Sequence, residues 1–563
     1  MQTRDKFGPR NKFCTKEIRT TTMLQSLVKG GFWSLFLAIT LATLLTAGVK
    51  WMFDHPYAVH WDEAEYFNTG PADLRCLQEG GLRALRGEIL YHDRIRPPAY
   101  RLLSLPFFCV TGFSPLTARL VSLGFHVLAL GFVYLTMRKV ASPQYAALTT
   151  LLVCLCPEVV ATSITFGTEY SLLLATSAMM FFVISSFDGR SGQWWCWIGL
   201  GLSIGLGLLS KSSFVAFAGP VLAFLLVARF SKTLSAPSPW FAIKAGVLGA
   251  LIAAPWWWVN AQPALAYSQY SRDFIRHSLG SPSVGTLGSW LLSVFQCLAG
   301  YGSIVVILLI GLAWLRKWIV QRNLHLDSIQ RTTFLVCAVA ALPLILLQLL
   351  GTNHLLRHLS PTVIPIAIAI GLLAQVTGCL DSRLFALSAA VAFSAQLVMI
   401  VVPAFHPNTS ETSSQTFANG IPPGGVMARI DQWNWRPLRD ISCEHDYKEP
   451  AVSFLGGGRN LNPPQIRYPW SVDGAPAPQV KWLWRYEQGP IDWQKVMELT
   501  DRSDIVVTAP GYVGDALDKE DLDNQHNAEL ALKLSQDSRF EGPIRLWMGR
   551  FEPVEVDVFI KAR

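Results

Sequence analysis

The sequence predicts a mainly α-helical membrane protein that crosses the bilayer many times and carries a small soluble domain at its C-terminus. Hydrophobic residues make up 51% of the 563 residues and charged residues only 15%, whereas soluble proteins contain about 25% charged residues. The apolar residues form blocks of roughly 20, the length that crosses a bilayer core of about 30 Å. From about His406 the sequence becomes polar and rich in Trp, Pro and Gly.

These patterns divide the chain into three parts. Residues 1–30 are predicted to be a cytoplasmic flank, residues 31–404 a transmembrane domain, and residues 405–563 a soluble extracytoplasmic domain of α/β or α+β type. The transmembrane domain is predicted to contain about 11–13 helices. The blocks predicted to span the membrane are 31–53, 114–137, 142–160, 168–187, 193–209, 213–230, 240–260, 286–315, 331–350, 356–376 and 383–404.

One further apolar stretch, residues 97–112, is ambiguous because it is about 16 residues long and contains Pro98, Arg101 and Pro106, all unfavourable in an independent span. The positive-inside rule decides its topology. If it does not cross, most basic residues of the later loops fall on the side of the basic N-terminus. We therefore predict a half-inserted or surface helix, a cytoplasmic N-terminus and a first extracytoplasmic loop over 54–96.

The net charge of +8 reflects cytoplasmic flanks and does not indicate a nucleic-acid partner. Seven Lys and Arg precede the first apolar block, which is typical of a cytoplasmic flank. No small-residue cleavage site follows the block, so we predict a retained helix and not a signal peptide. The expected location is a cell membrane, in a bacterium the inner membrane. Cys76 and Cys443 both fall in predicted extracytoplasmic segments and could form a disulfide.

The first extracytoplasmic loop contains an acidic motif, Asp62-Glu63-Ala64-Glu65-Tyr66. On a helix, Asp62 and Tyr66 are four residues apart and share a face, with Glu65 alongside. Acidic residues at the surface of an apolar membrane protein are costly if they enter the membrane. The motif is either functional or a solvated turn that caps a juxtamembrane helix.

The same loop ends with Arg96-Pro97-Pro98-Ala99-Tyr100. A proline suits the first turn of a helix, so Pro97 predicts that Arg96 lies at the mouth of the half-inserted helix. Arginine binds phosphate through a planar fork of donors. The alternative is an interfacial arginine that reaches toward lipid headgroups.

Three more charged residues fall at the same membrane face. Glu169 begins a span, where it could act only as a dipole partner or cap; Lys211 separates two apolar blocks and could only mark a turn; Arg357 begins another span. Carboxylates beside Arg and Lys suit a reaction that removes a proton from a hydroxyl and expels a phosphate.

These motifs resemble the C-type glycosyltransferase superfamily, in the branch that holds protein O-mannosyltransferases and lipid A aminoarabinose transferases. The matching elements, in order, are the acidic motif from Asp62 to Tyr66, the basic-Pro-Pro-x-Tyr motif from Arg96 to Tyr100, Glu169, the Gly205–Lys211 element, and Arg357-His358-Leu359-Ser360-Pro361. The resemblance covers most of residues 31–404. It implies a hexosyl- or pentosyltransferase that inverts the sugar, with a polyprenyl-phosphate donor, a lipid, glycan or protein acceptor, and an extracytoplasmic active site.

The resemblance also implies roles for individual residues. Asp62 would be the general base and Glu169 a second catalytic acid; a divalent metal ion joining the two is left open. The donor phosphate would be bound by Arg96, Arg357 and Lys211. The remaining substrate contacts would come from Glu63, Glu65, Tyr66 and Tyr100.

The chain departs from the family pattern at three of these positions. Relatives commonly carry Lys where this chain has Arg96, Asp where it has Glu169, and a basic residue where it has Glu65. The first two exchanges keep the charge. The third reverses it, which leaves the sugar and the acceptor open.

The C-terminal part contains strand candidates at 451–455, 480–486, 504–508, 545–551 and 554–560, and helix candidates at 492–500 and 516–535. Gly456-Gly457-Gly458-Arg459 is interpreted as a flexible turn more readily than as a phosphate loop. Trp482, Trp484 and Trp493 could stack on sugars, but packing of the domain on the membrane surface is favoured.

The main alternative function is a transporter or a flippase for lipid-linked sugars, because such proteins also contain many spans and buried charges. The sequence shows no repeated halves, and its unusual charges gather at one surface and not at the midplane. A non-catalytic scaffold would leave Asp62 and Arg96 without a role.

Overall fold

The computed structural model describes residues 14–563, except 189–193, 232, 280–293, 322–325, 351–355, 407–424, 458–459, 485–489, 513–524, 551–552 and 563. Side chains are additionally left undescribed for 14–30, 188, 271–279, 321, 348–350 and 356–358.

Helices dominate the first four hundred residues, as the composition predicts. They are α1 (Cys14–Asp54), α2 (Trp61–Tyr91), α3 (Ala99–Thr111), α4 (Pro115–Val140), α5 (Pro143–Cys154), α6 (Pro157–Ile164), α7 (Glu169–Ser185), α8 (Trp194–Leu208), α9 (Val215–Ala228), α10 (Pro239–Leu279), α11 (Tyr301–Gln321), α12 (Ser328–Leu350), α13 (Val363–Thr377) and α14 (Arg383–Val401). The predicted fold class, a helical polytopic membrane protein with a small C-terminal sheet region, is confirmed.

Within the described ranges, seven helices are long and apolar enough to cross a membrane. The predicted span 142–160 differs, because it is broken into α5 and α6 with a bend of 66°. Pro157 explains the break, since proline occupies the first position of α6 and cannot donate a backbone hydrogen bond to a continuing helix. The blocks at 168–187, 193–209 and 213–230 form the shorter helices α7, α8 and α9.

The ambiguous stretch 97–112 forms α3, which has 13 residues. At about 1.5 Å per residue this helix is roughly 20 Å long, too short for a bilayer core of about 30 Å. That length agrees with a half-inserted helix. The helix begins two residues later than the proline signal suggests, with Pro98 as its N-cap.

Apolar side chains lie on both the inside and the outside of the helical part. The buried core runs from Trp33 in α1 through α4, α5, α7 and α13 to Ile430. Large apolar side chains such as Trp258, Leu308 and Leu387 are exposed on the outer surfaces of α10, α11 and α14. An exposed apolar exterior of this extent is what lipid contact requires.

The C-terminal part contains one five-stranded sheet with strand order β2-β1-β3-β5-β4. Strands β1, β2 and β3 are mutually parallel, and β5 pairs antiparallel with β3 and β4. The strands are β1 (Ala451–Phe454), β2 (Gln479–Trp482), β3 (Ile505–Thr508), β4 (Phe540–Met548) and β5 (Val554–Lys561), and the helices are α15 (Arg436–Glu444), α16 (Pro463–Val472), α17 (Trp493–Thr500) and α18 (Asn527–Ser535).

The strand and helix candidates of this part correspond to observed elements with small changes in their ends. β4 begins earlier than predicted, because an irregularity between Glu541 and Ile544 separates two paired stretches of one strand. The helix predicted at 516–535 is described only over α18. The turn after β1 is described only at Gly456 and Gly457, since 458–459 lie outside the described residues.

The C-terminal part packs on the first loop and thereby helps to position the site. The Trp51 indole N–H in α1 donates to the Ala428 carbonyl (3.0 Å), and the Asn68 amide in α2 donates to the Pro464 carbonyl (2.9 Å). Trp482 of β2 stacks on Trp61, with ring centroids 5.2 Å apart. Trp482 thus packs on the first loop, whereas Trp484 is buried inside the C-terminal part itself.

Cys76 and Cys443, which the sequence suggested as a disulfide pair, are both free thiols. Cys76 is half-buried on α2 and Cys443 is exposed at the end of α15. The contact between the first loop and the C-terminal part therefore depends on packing and hydrogen bonds.

Candidate active site

Helix α2 begins at the acidic motif. His60 is its N-cap, and the His60 imidazole Nδ1 accepts a hydrogen bond from the Glu63 backbone N–H (3.0 Å). Asp62 and Glu63 therefore lie in the first turn, where the helix dipole favours negative charge. The helical face shared by Asp62, Glu65 and Tyr66 is formed as the spacing predicts.

Tyr66 lies at the centre of the site. Its ring contacts the Tyr100 ring edge-to-face, with centroids 4.7 Å apart, and the Arg96 guanidinium lies 5.7 Å from its centroid. Arg96 Nη1 donates to Glu65 Oε1 (3.4 Å) and to Asp93 Oδ2 (3.5 Å). The two motifs of the first loop, 31 residues apart in sequence, thus form one cluster.

The segment that carries Arg96 is fixed from both sides. The Asp93 carboxylate accepts from the backbone N–H groups of Ile95 and Arg96, and the Ala99 N–H donates to the Leu209 carbonyl (2.7 Å). Leu209 stands two residues before Lys211, so this hydrogen bond brings the Arg96 motif and the Lys211 turn together.

Glu169 and Lys211 form the second half of the cluster. Lys211 Nζ donates to Glu169 Oε1 (2.9 Å), and both side chains are mostly buried. Gly167 permits the close approach of Glu169 to Tyr66, since a Cβ at this position would lie 2.7 Å from Glu169 Oε2 and 3.4 Å from Tyr66 Cε2. The carboxylates of two helices therefore meet around one phenol.

The electrostatics follow from this arrangement. Burial raises the pKa of Tyr66 well above its usual value, and the negative charges of Asp62 and Glu169 raise it further. Burial alone would lower the pKa of Arg96, but the nearby Tyr66, Asp93 and Glu65 outweigh it and raise the pKa. The site at neutral pH thus contains a neutral phenol between carboxylates and a permanently charged guanidinium.

Glu63 occupies a different position from the substrate contact expected of it. Its side chain is fully buried and forms a two-point ion pair with Arg119 of α4, at 2.8 and 2.7 Å. Its two oxygens also accept from the Val59 and Phe166 backbone N–H groups, both at 2.9 Å. Because Glu63 has no exposed surface, its role is to hold these segments together.

The burial of Glu63 also affects its protonation. Loss of hydration would raise its pKa, but the Arg119 charge and hydrogen bonds outweigh this effect and lower the pKa. The Arg119 guanidinium donates in addition to the His55 and Tyr57 carbonyls. The pair is therefore charged, and each of its nitrogen and oxygen atoms has a hydrogen-bond partner.

Two further site predictions concern Arg357 and a divalent metal ion. Arg357 lies in the 3₁₀ helix Leu356–Thr362, but its side chain is outside the described residues. Among the residues whose placement is described, no group of three or more His, Cys, Asp or Glu could hold a metal ion. Glu169 instead has a lysine ammonium as its partner.

Sequence reasoning missed three residues that shape the site: Asp93, Arg101 and Arg119. Arg101 is 2% exposed in α3, and its Nε donates to Asp73 Oδ2 (2.8 Å). An arginine inside an apolar block requires a buried acid as partner. That rule, applied to Arg101 and Arg119, was the signal available in the sequence.

A many-span helical protein with this fold and charged cluster is similar to the C-type membrane glycosyltransferases. Residues 95–258 match the family described as dolichyl-phosphate-mannose-protein mannosyltransferase, and the resemblance stated from the sequence motifs is confirmed. The matched segment contains Arg96, Tyr100, Glu169 and Lys211. No curated protein matches the chain by sequence.

The fold is also similar to solved structures. ArnT from Cupriavidus metallidurans bound to undecaprenyl phosphate has a TM-score of 0.51 at 14% identity, over 94% of this chain and 98% of that chain. The same protein in the apo state has a TM-score of 0.49, with the same identity and coverage. The apo oligosaccharyltransferase of Archaeoglobus fulgidus has a TM-score of 0.47 at 12% identity, over 84% of this chain and 69% of that chain.

The Glu63–Arg119 pair generates a prediction about stability. Glu63→Gln should lower the free energy of unfolding by about 3–5 kcal/mol, because it leaves the Arg119 charge buried without a counter-ion. The measurement is thermal unfolding of the purified protein in lipid nanodiscs. Glu65→Gln is the matched control, since Glu65 is 30% exposed and its loss should change the melting temperature little. Equal melting of Glu63→Gln and wild type would contradict the assignment.

Proposed function

We propose that this protein is a glycosyltransferase that moves a sugar from a polyprenyl-phosphate donor to an acceptor hydroxyl, with inversion, at the extracytoplasmic face of the membrane. One observation carries the proposal. The family-matched segment, 95–258, supplies the cations Arg96 and Lys211 and the acid Glu169, and these residues meet Asp62 and Tyr66 of the first loop.

The cations are the proposed donor-phosphate site. Arg96 and Lys211 are paired with Glu65, Asp93 and Glu169, so an arriving phosphate would exchange partners with carboxylates that already hold these side chains in position. Charge-assisted hydrogen bonds to phosphate are among the strongest that Arg and Lys make. We include Arg357 on the sequence motif alone. The bound undecaprenyl phosphate of the similar ArnT structure supports a ligand of this chemistry.

Asp62 is the proposed general base. The acceptor hydroxyl oxygen attacks the anomeric carbon, the bond from that carbon to the phosphate oxygen breaks, and the electron pair leaves with the polyprenyl phosphate. The hydroxyl proton goes to the Asp62 carboxylate, a step that contributes about 10²–10⁴-fold. A single displacement from the side opposite the phosphate inverts the sugar.

The remaining site residues position these groups. Glu169 holds the Lys211 ammonium, and Glu65 holds the Arg96 guanidinium. The neutral Tyr66 phenol lies between the acids, where it can donate a hydrogen bond to substrate, and Tyr100 forms the wall behind it. No step is routed through a metal ion, since the described residues offer no three-ligand group.

The role of Asp62 predicts the outcome of an isosteric substitution. Asp62→Asn keeps the side-chain size but cannot accept the proton, so we expect sugar transfer to fall by about 10²–10⁴-fold while donor binding persists. The measurement is release of free polyprenyl phosphate from polyprenyl-phosphate hexoses by the purified protein. Glu79→Gln, on the exposed face of the same helix, should leave the rate unchanged. Full activity of Asp62→Asn would remove the proposed mechanism.

The proposed side of the membrane can be tested with a native cysteine. Cys443 is exposed and should react with a membrane-impermeant maleimide in intact cells or spheroplasts, because the positive-inside rule places residues 405–563 outside. Cys443→Ser gives the background. Arg138 is exposed in the last turn of α4, the end of that helix which is predicted to face the cytoplasm. A cysteine introduced there should react only after permeabilisation. The reverse labelling pattern would place the site on the cytoplasmic face.

A further inference from the structure

A cavity of about 210 Å³ lies where the first loop meets the C-terminal part. Its walls come from the linker after α1, the start of α4, the segment before α15, and α16. The lining includes the aromatic residues Tyr57, Trp433, Trp435 and Tyr468 and the polar residues Asn434, Arg436, Gln465 and Asp473. None of these side chains belongs to the cluster around Tyr66 described above.

The lining has the chemistry of a carbohydrate site. A pyranose ring has an apolar face, formed by its C–H groups, and an edge of hydroxyls. Aromatic rings supply flat surfaces on which the apolar face can stack. Planar amide, carboxylate and guanidinium groups supply hydrogen bonds to the hydroxyls. A cavity of about 210 Å³ is smaller than the roughly 300–1,000 Å³ of pockets for drug-sized ligands, so it suits one ring.

The polar groups that a ligand could reach lie at the rim of the cavity. The Arg436 guanidinium and the Asp473 carboxylate are 3.7 Å apart, close enough for both to bind adjacent hydroxyls. Arg439 also forms an ion pair with Asp473 and so holds this carboxylate in place.

The cavity is separate from the catalytic face. It touches α2 at Ala64, which is two residues from Asp62 and therefore about 200° around the helix. The buried Glu63–Arg119 pair and Phe67 lie on that side, and Tyr468 packs against Phe67 with ring centroids 5.8 Å apart. A sugar in the cavity would not occupy the proposed reaction centre.

We propose that this cavity is a second carbohydrate-binding site, which holds one pyranose ring of a glycan beside the membrane surface. Tyr468 and Tyr57 supply the stacking surface, and Arg436 with Asp473 binds hydroxyls at the rim. The assignment of this ring to an acceptor glycan rests on the proposed function; the binding of a pyranose does not.

Saturation-transfer NMR on the full-length protein in lipid nanodiscs tests this site, because nanodiscs avoid detergents that carry sugar rings. The probes are methyl glucoside, methyl mannoside and methyl galactoside as pyranosides, with undecaprenyl phosphate present to fill the donor site. We expect transfer to at least one pyranoside. Arg436→Ala should weaken its binding by about fivefold, the effect of one lost hydrogen bond.

The control Trp493→Phe, in a different part of the C-terminal core, should bind like wild type. The Arg436 side chain is 64% exposed, so its replacement should leave the fold intact and report on the cavity alone. Asp62→Asn should keep the signal, because its face of α2 is not part of the cavity.

Absence of transfer to every pyranoside, unchanged binding in Arg436→Ala, or loss of binding in Asp62→Asn would each overturn the proposal. Glycerol 3-phosphate serves as a probe for a lipid headgroup. If it binds in place of the pyranosides with the same dependence on Arg436, the cavity is a lipid site and the proposal fails. A wild-type protein that binds pyranosides but releases no polyprenyl phosphate would refute the proposed function alone.

Discussion

The buried ion pair between Glu63 and Arg119 is the interaction on which the rest of the site depends. Removing two charges from water costs several kcal/mol per ion, and only complete hydrogen bonding offsets this cost. Here the pair binds backbone groups of two separate segments: the carbonyls of His55 and Tyr57 before α2, and the Phe166 N–H before α7. It therefore fixes the starting points of the two helices whose first turns carry Asp62 and Glu169.

The cations of the site are held in ion pairs. Each proposed phosphate-binding cation has a carboxylate partner, Arg96 with Glu65 and Asp93, and Lys211 with Glu169. These pairs keep the side chains ordered in a mostly buried environment, where an uncompensated charge would be costly. The phosphate of a polyprenyl lipid would have to displace these carboxylates from the cations, which the ion pairs hold in place until the donor arrives.

The sequence predicted the parts of this picture that depend on local spacing. Asp62 and Tyr66 share a helical face because they are four residues apart, and the five strands were visible as short β-branched and aromatic runs. It did not predict that Glu63 is structural, because its partner Arg119 lies 56 residues away and the pairing depends on how α4 packs. It also missed the 66° bend at Pro157, since hydropathy reports the length of an apolar block and not its continuity.

The central claim is that the cluster around Tyr66 binds the phosphate of a polyprenyl lipid, and native mass spectrometry of the purified protein with undecaprenyl phosphate tests it most directly. The account predicts that wild type retains the lipid, that Arg96→Ala loses most of it, and that Arg96→Lys retains part, because lysine keeps the charge but not the planar fork. Equal retention of undecaprenyl phosphate by wild type and a folded Arg96→Ala variant would contradict the account.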